Sequence, residues 1–383
     1  MYIPIPDFLE PAWNLFQGAP LAIQLAMIFI IIATLITFLA YCSILRNRFL
    51  GYQRAKRQAN LLPQLDNLIV EEILANPDPM AQTQPDKVQL NLEPFYKLPL
   101  HKKWARQATT DRIVHFRRNV RGNAGRLLRT LYLQLELDKD NIKQMKSRKW
   151  ERKVRALTEF INMDIPIADV SILPLTNSHN RELRAAARHA YIKLSKNEPF
   201  KFFDVVTDPL LMWDQVELFR IITTTEDIAI PNFARWITYS SNRSVVSFCL
   251  KLIVHYNQLP AVPAVKQLLD TKDHYLRAEA INCLGKLKVP DIEDKLVYMY
   301  SSQPLQCQIE ILKAIGRIGS GKHIDFIRQE FLHSTNFDLR KSAAKSIVKN
   351  EAIAHGILQE LLDTSNPENL LILKHCMNPL IKY

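Results

Sequence analysis

Residues 276–287 read LRAEAINCLGKL, and they decide the fold because their pattern returns along the chain. The run begins with an apolar residue and has a small residue, Ala280, four positions later. Comparable apolar residues recur at intervals of 29 to 33 residues. They are Val154, Leu183, Val216, Val245, Leu276, Cys307, Leu339 and Leu370. Self-similarity at such a period is typical of a repeat architecture, so we predict a chain built from stacked units.

Helix-start residues precede most of these apolar positions. They are Asn180, Asn242, Asp273, Pro304, Asn336 and Pro367. Asn and Asp side chains accept hydrogen bonds from orphan N–H groups at a helix start, and proline suits the first turn. A second amphipathic segment follows within several units, as in residues 262–269, 292–300 and 324–332. Each unit is therefore predicted to be two antiparallel helices, which bury their apolar faces only when stacked on neighbouring units.

Four runs resemble the second helices of HEAT repeats: VRALTEFI (154–161), LRAAARHA (183–190), LRAEAINCLGKL (276–287) and LRKSAAKSI (339–347). The resemblance implies an all-α, HEAT-like α-solenoid of helical hairpins, with about seven to eight repeats and an extended concave face. The family's arginine follows the first apolar residue, and we expect it to pair with turn groups of adjacent repeats. It is present here at Arg155, Arg184, Arg277 and Arg340.

Residues 21–45 carry no charged side chain and predict one transmembrane helix. Within this stretch, the 23 residues from 21 to 43 would form a helix of roughly 35 Å, enough to cross a hydrocarbon core of about 30 Å. The polar residues include Thr34 and Thr37, whose hydroxyls can bond back to helix carbonyls. A buried helix of a soluble protein and a cleaved signal peptide are the alternatives. The signal peptide is disfavoured because residues 1–20, a short external segment, contain no lysine or arginine.

The basic residues after the apolar run predict its orientation. Arg46, Arg48, Arg54, Lys56 and Arg57 follow with no intervening acid. By the positive-inside rule, the N-terminus lies outside and the rest of the chain lies in the cytoplasm. Residues 46–74 are predicted to be a basic juxtamembrane segment and an amphipathic helix. Residues 75–99 are rich in proline and predict an extended linker.

The net charge of +12 is concentrated near the predicted membrane. Residues 97–155 contain 18 Lys and Arg against 5 acids, whereas residues 156–383 sum to only +1. The candidate contacts for anionic lipid or a protein partner are Arg46, Arg48, Arg54, Lys56, Arg57, Lys102, Lys103, Arg106, Arg117, Arg118 and Arg121. A solvated helix face is an alternative. Nucleic-acid binding, suggested by interleaved aromatic residues, is the least favoured. We place the solenoid at 100–383, with residues 100–155 as its basic part.

The sequence contains no convincing motif for catalysis or for binding a metal or a cofactor. The five cysteines are scattered, and the ten histidines form no HExxH pattern, so we predict no metal site. Residues 316–323 nearly match a phosphate-binding loop, but His323 replaces the hydroxyl residue and the preceding IEILKAI predicts a helix. We therefore predict that the protein is not an enzyme. It should have no catalytic residue, cofactor or small-molecule substrate.

A second resemblance suggests a setting. Residues 131–160 are similar to bacterial single-span, membrane-anchored HEAT-repeat proteins, which are often found beside envelope glycosyltransferases. This similarity implies the bacterial inner membrane and an envelope polysaccharide or secretion assembly. We expect a non-catalytic scaffold or adaptor that binds a protein partner at the cytoplasmic membrane. The alternatives are a membrane-tethered nucleic-acid-binding HEAT protein that uses residues 97–155, and an enzyme with a deep polar pocket on the concave face.

Overall fold

The computed structural model describes residues 16–75, 88–120 and 122–380, and these ranges form helices and turns without a β-strand. Contacts divide the chain into two compact units, Met1–Asp140 and Asn141–Tyr383. Residues 100–140, which we expected to begin the solenoid, thus pack with the N-terminal unit. The external segment predicted at 1–20 lies outside the described residues up to position 15.

The first unit is dominated by one long helix, α1, which spans Leu21–Ile69 and continues as a π-helical turn over Val70–Leu74. The predicted transmembrane and juxtamembrane segments are therefore one uninterrupted element. Its most apolar 18-residue window has no buried residue. Thr37 donates its hydroxyl hydrogen bond to the Ala33 carbonyl, 2.7 Å away. This bond satisfies a polar group within the apolar stretch, as the sequence predicts.

The C-terminal part of α1 packs against three further helices of the first unit, α2 (Glu93–Tyr96), α3 (Lys103–Asn119) and α4 (Gly122–Gln134). Leu61, Leu65, Ile69 and Ile73 are buried at this contact side. Their spacing of four residues places them on one helix face. Arg112 on α3 donates two hydrogen bonds to the Asp66 carboxylate, and its Nη2 lies 2.7 Å from Oδ2. The amphipathic segment thus docks within the protein.

The predicted linker is shorter than expected. Residues 76–87 lie outside the described residues, but from Val88 to Leu100 the chain packs on the unit. Val88, Leu90 and Phe95 are buried. The side chain of Gln134 holds this segment, because its amide accepts from the Leu90 N–H at 3.1 Å and donates to the Val88 carbonyl at 2.7 Å. The prolines at 94 and 99 therefore belong to packed structure.

The second unit consists of longer helices of 11 to 14 residues and shorter helices of 4 to 10 residues. After α5 (Leu137–Met145), which crosses the boundary, come α6 (Trp150–Met163), α7 (Asp169–Ile172), α8 (Arg181–Leu194), α9 (Met212–Thr224), α10 (Ala234–Tyr239), α11 (Arg243–His255), α12 (Val262–Gln267), α13 (His274–Lys286), α14 (Glu293–Met299), α15 (Leu305–Ile318), α16 (Ile324–His333), α17 (Phe337–Lys349), α18 (Glu351–Thr364) and α19 (Pro367–Met377). Every apolar position of the sequence repeat lies in a helix, respectively α6, α8, α9, α11, α13, α15, α17 and α19.

These helices form consecutive pairs. The short helices α10, α12, α14 and α16 pack respectively on α11, α13, α15 and α17. The longer partners also pack in chain order, from α11 through α13, α15 and α17 to α19. The longer helices α13, α15 and α17 therefore each contact the short helix before them and the longer helices that precede and follow them in the chain.

Side-chain caps fix where the longer helices begin. Asn180 accepts from the Leu183 N–H at 2.9 Å, and Asn336 accepts from the Asp338 N–H at 2.9 Å. Asp273 caps α13 in the same manner. The predicted N-caps are thus confirmed, because each side chain satisfies a backbone N–H that has no partner within its helix.

Close approach between the longer helices requires glycine at two positions. A Cβ atom on Gly285 of α13 would lie 2.6 Å from the Ala314 Cα of α15. A Cβ atom on Gly316 of α15 would lie 2.8 Å from the Ser346 Cα of α17. Any larger residue must push the two backbones apart, so these glycines set the distance between successive units.

The repeat pattern departs from the prediction at α9. Val216, expected to be an inward apolar residue, has 48% of its surface exposed. The buried apolar residues of this helix are instead Leu218, Ile221 and Ile222. Aromatic residues before and after α9 in the chain form a cluster that includes Phe200, Phe203, Phe233, Trp236 and Phe248. Phe203 belongs to a short 3-10 turn, Lys201–Asp204, that precedes α9.

Candidate functional site

A groove crosses four longer helices of the second unit, α9, α11, α13 and α15, and we call it the α9–α15 groove. It encloses about 790 Å³. Its lining residues are Phe219, Arg243, Ser247, Leu250, Lys251, Val254, His255, Tyr275, Ala278, Glu279, Asn282, Cys283, Lys286, Gln306 and Glu310. The groove thus combines apolar, aromatic and charged side chains that are contributed by successive units.

Polar bonds across neighbouring helices hold the floor of the groove. Ser247 on α11 donates to Glu279 on α13 at 2.8 Å, and Asn282 on α13 donates to Glu310 on α15 at 2.6 Å. Glu310 is buried and also takes an ion pair from Lys313 at 2.8 Å. Each carboxylate is therefore fixed by partners on its own or an adjacent helix, which preorganises the surface for binding.

Aromatic and cationic side chains form the rim. The Arg243 guanidinium lies 3.0 Å from an Asp273 oxygen and 4.8 Å from the centre of the Tyr275 ring. Phe219 and His255 meet edge to face, with ring centres 4.8 Å apart. Tyr275 has 54% of its surface exposed. Exposed aromatic and arginine side chains are the residue types that dominate binding energy at protein interfaces.

The cysteines near the groove are poor nucleophiles. Burial raises the pKa of the Cys283 thiol to about 12, although Lys286 opposes the effect. Burial also raises the pKa of Cys249 and of Cys307. At neutral pH these thiols stay protonated, whereas a catalytic thiol needs the thiolate form. Within the described residues, no three His, Cys, Asp or Glu side chains gather as a metal site would require.

The predicted lipid or partner contacts occupy two regions of the first unit. Arg46, Arg48, Arg54, Lys56 and Arg57 are exposed on α1. Lys102 and Lys103 are exposed at the start of α3, and Arg117 and Arg118 lie in its last turn. Arg121 lies outside the described residues.

One of these cations, Arg106, is engaged within its own unit. Its Nε forms an ion pair with Asp140, and its Nη2 donates to the Glu136 carbonyl at 2.8 Å. The aromatic residues in and beside the basic segment, residues 97–155, differ in exposure. Tyr96 is 64% exposed, whereas Tyr132 is fully buried and cannot stack on a base.

Except for Arg155, the repeat arginines bond to turn and helix-start groups, and Arg277 and Arg340 reach the start of the next longer helix. Arg277 donates to the Thr271 carbonyl and to Gln303, and Arg340 bonds Glu368 at 2.6 Å. Arg184 donates to the Ser178 carbonyl at 2.7 Å. Arg155 forms an ion pair with Glu159 of the same helix, 3.0 Å away.

The phosphate-loop look-alike at 316–323 lies at the end of α15, as predicted for a helix rather than a strand. Gly319 has a left-handed φ of 71° and ends the helix. Lys322 and His323 both bind Asp294, at 2.6 and 2.8 Å. These hydrogen bonds lower the pKa of the Asp294 carboxyl group. The lysine that a phosphate loop would aim at its ligand is thus engaged in an ion pair.

The groove is not predicted from the sequence, although polar residues at equivalent repeat positions form part of its lining. Six residues after the repeat positions 245, 276, 307 and 339, the chain has Lys251, Asn282, Lys313 and Lys345, respectively. Ten residues after the same positions, it has His255, Lys286, Arg317 and Lys349. These polar positions lie one helical turn apart, so they follow one face of each longer helix. Alignment of the repeats by column finds them.

Comparison with known proteins leaves the function to be argued from the molecule itself. No family model matches the chain, and no curated protein matches it.

Proposed function

We propose that this protein is a membrane-anchored cytoplasmic scaffold or adaptor that holds a protein partner in the α9–α15 groove of a HEAT-like solenoid. The observation that carries the proposal is the groove itself. Its lining comes from corresponding positions of successive helices, and its rim presents Arg243 and Tyr275. Such a surface suits a protein segment, because exposed aromatic and arginine side chains supply anchoring contacts.

The anchor is α1. A core helix of a soluble protein buries its apolar side chains, but the most apolar window of α1 has none buried. Exposed residues such as Phe29, Ile31 and Phe38 extend around the helix, and a hydrocarbon environment would cover them. The basic residues from Arg46 onward support an outside N-terminus and a cytoplasmic second unit.

The solenoid is supported by order of packing and by spacing. Five longer helices pack in chain order, and four of them carry a short helix that precedes them in the chain. The apolar repeat positions in this part are 31 or 32 residues apart. Nearest-neighbour packing of such pairs is the arrangement of helical repeat proteins. The similarity of residues 131–160 to bacterial single-span HEAT proteins favours the inner membrane and an envelope polysaccharide or secretion assembly.

Photocrosslinking at the groove tests the proposal. A photoreactive phenylalanine replaces Tyr275 at the groove rim in the full-length protein, expressed in intact cells. The matched control places it at Tyr298 on α14, which is 90% exposed and does not line the groove. We expect a discrete protein adduct from position 275 and none of the same mass from position 298. Adducts that are absent at 275, or identical at both positions, would contradict the groove as the binding site.

A charge variant tests the contact independently. Glu279→Lys removes the acceptor of the Ser247 bond and reverses a charge on the groove floor. Because Glu279 is half-buried rather than in the core, the helix should tolerate the change. We expect the adduct at position 275 to fall severalfold at unchanged protein level. The same adduct yield in this variant would argue against recognition by the groove floor.

A further inference from the structure

A second cavity lies beside the groove, between α15 and α17, and we call it the cationic pocket. It encloses about 530 Å³, which is within the range of small-molecule sites. Five basic side chains line it: Lys313, Arg317, Lys341, Lys345 and Lys349. Asp338 is the single acid among the lining residues, and Ile309 is the single large apolar residue.

The sequence concentrates these charges on two helix faces. Lys313 and Arg317 are four residues apart on α15, and Lys341, Lys345 and Lys349 are four residues apart on α17. Like charges at this spacing destabilise a helix, so each stripe of basic residues carries a cost in folding free energy. The surrounding unit does not share the excess, since residues 156–383 sum to +1.

Repulsion among the positive charges of the pocket favours the binding of an anion. Burial lowers the pKa of Lys345, and the neighbouring charges of Lys313, Arg317 and Lys341 lower it further. Burial, Arg317 and Lys288 lower the pKa of Lys349 in the same way. An anion placed among these groups would relieve their mutual repulsion and favour their charged forms.

One internal acid, Glu310, pairs with two of these cations. Glu310 is shared, because Lys313 Nζ lies 2.8 Å from one carboxylate oxygen and Arg317 Nη1 lies 3.7 Å from the other. Among the described residues, Arg317 Nη1 is buried and makes no hydrogen bond. A buried guanidinium nitrogen without a hydrogen bond is costly, so the distant Glu310 carboxylate compensates the Arg317 charge incompletely.

We propose that the cationic pocket binds a ligand that carries two or more phosphate groups. Lysine ammonium groups and a guanidinium with a free donor are the groups that proteins use to hold phosphate oxygens. The volume exceeds the need of a single phosphate. An acidic peptide fits less well, because Ile309 offers little of the apolar lining that anchors a peptide. The pocket adjoins the α9–α15 groove and shares Gln306 with it, but the phosphate-binding proposal does not depend on the proposed adaptor function.

Binding of inorganic tripolyphosphate to the full-length protein in neutral detergent tests this proposal. Calorimetric titration is performed at constant ionic strength set with potassium chloride. We expect saturable binding that the double variant Lys345→Gln, Lys349→Gln weakens about tenfold or more, through loss of two charge-assisted contacts. The matched control, Lys295→Gln with Lys322→Gln, removes two lysines of the same unit that pair with Asp270 and Asp294. It should change the affinity less than twofold.

Two further ligands identify the source of the phosphate. A short-chain, water-soluble phosphatidylinositol bisphosphate that binds more tightly than tripolyphosphate assigns a lipid headgroup, and weaker binding assigns a soluble phosphate ligand. Equal loss of affinity in both double variants would show unspecific charge attraction and overturn the proposal. It would also be overturned if tripolyphosphate did not bind, or if a ten-residue polyglutamate bound more tightly than both phosphate ligands. Circular dichroism checks that the variants are folded.

Discussion

His189 on α8 couples the stability of the second unit to pH. Burial lowers the pKa of its imidazole to about 4, and the nearby charges of Lys193 and Arg220 contribute. In the unfolded chain the same group has a pKa of about 6.5. The folded protein therefore holds His189 neutral, and below pH 6.5 the unfolded state binds the additional proton. The stabilisation is present above pH 6.5 and is lost as the pH falls toward 4.

We predict that acid weakens the wild-type protein more than His189→Gln. Between pH 7 and pH 4.5 the extra loss should be on the order of 2 kcal/mol, or about 4–8 °C in Tm. Thermal unfolding of the detergent-solubilised protein, followed by circular dichroism, measures the difference. Other titrating groups contribute equally to both proteins, so the gap between the two curves isolates His189. Parallel curves would contradict the assignment.

Residue identity alone predicts some contacts and not others. The N-caps Asn180, Asp273 and Asn336 could be predicted because a cap acts on backbone groups two or three residues away. The ion pair between Arg112 and Asp66 could not, since it joins residues 46 positions apart. Such a contact depends on how helices pack, and spacing in the sequence does not encode it.

At the scale of the helix, Gly316 sets the approach of α15 to α17. A Cβ atom there would meet the Ser346 backbone at 2.8 Å. We predict that Gly316→Ala destabilises the second unit by about 1–3 kcal/mol, because overpacking outweighs the gain in helix propensity. Thermal unfolding measures the loss.

Gly356→Ala is the matched control for that substitution. Gly356 lies in α18, and a Cβ atom on it would meet nothing within 4 Å. The expected change is therefore neutral or stabilising, by up to about 1 kcal/mol. If both variants behaved alike, the close packing of α15 on α17 would be wrong.

A second prediction at the scale of the helix concerns the C-terminal end of α1, which packs within the first unit. Leu65 is fully buried, whereas Val70 on the same element is 42% exposed. Leu65→Ala should destabilise the first unit by about 2–5 kcal/mol, since it leaves a cavity. Val70→Ala should change stability by less than about 0.5 kcal/mol. Limited proteolysis measures whether α1 separates from α3 in each variant, and equal cleavage rates would show that the amphipathic segment docks elsewhere.

Element prediction succeeded where the local signal was periodic and failed where packing overrode it. The second amphipathic segments predicted near 262, 292 and 324 correspond to α12, α14 and α16. The extended linker was inferred from prolines, yet Phe95 and its neighbours are buried after residue 88. Proline restricts the backbone without deciding whether the side chains beside it find an apolar surface. The groove and the cationic pocket form between neighbouring helices, and the sequence of a single helix does not specify which helices lie side by side.

At the scale of the whole molecule, our central proposal concerns the orientation of the protein in the membrane. We propose that α1 holds the second unit in the cytoplasm, where the groove and the cationic pocket would be accessible to cytoplasmic partners. The buried cysteines make this claim testable in intact cells. Cys249, Cys283 and Cys307 are buried, and burial raises the pKa of each thiol, so they should not react with a maleimide.

The most direct measurement is labelling of single exposed cysteines with a membrane-impermeant maleimide. Cys42 and Cys376 are replaced by serine, and a cysteine is introduced at Gln17, before α1, or at Lys272, in the second unit. The account predicts labelling at position 17 in intact cells, and at position 272 only after the membrane is permeabilised. Labelling of position 272 in intact cells would contradict the proposed orientation. A mature protein that lacks residue 17 would show that α1 belongs to a cleaved signal sequence.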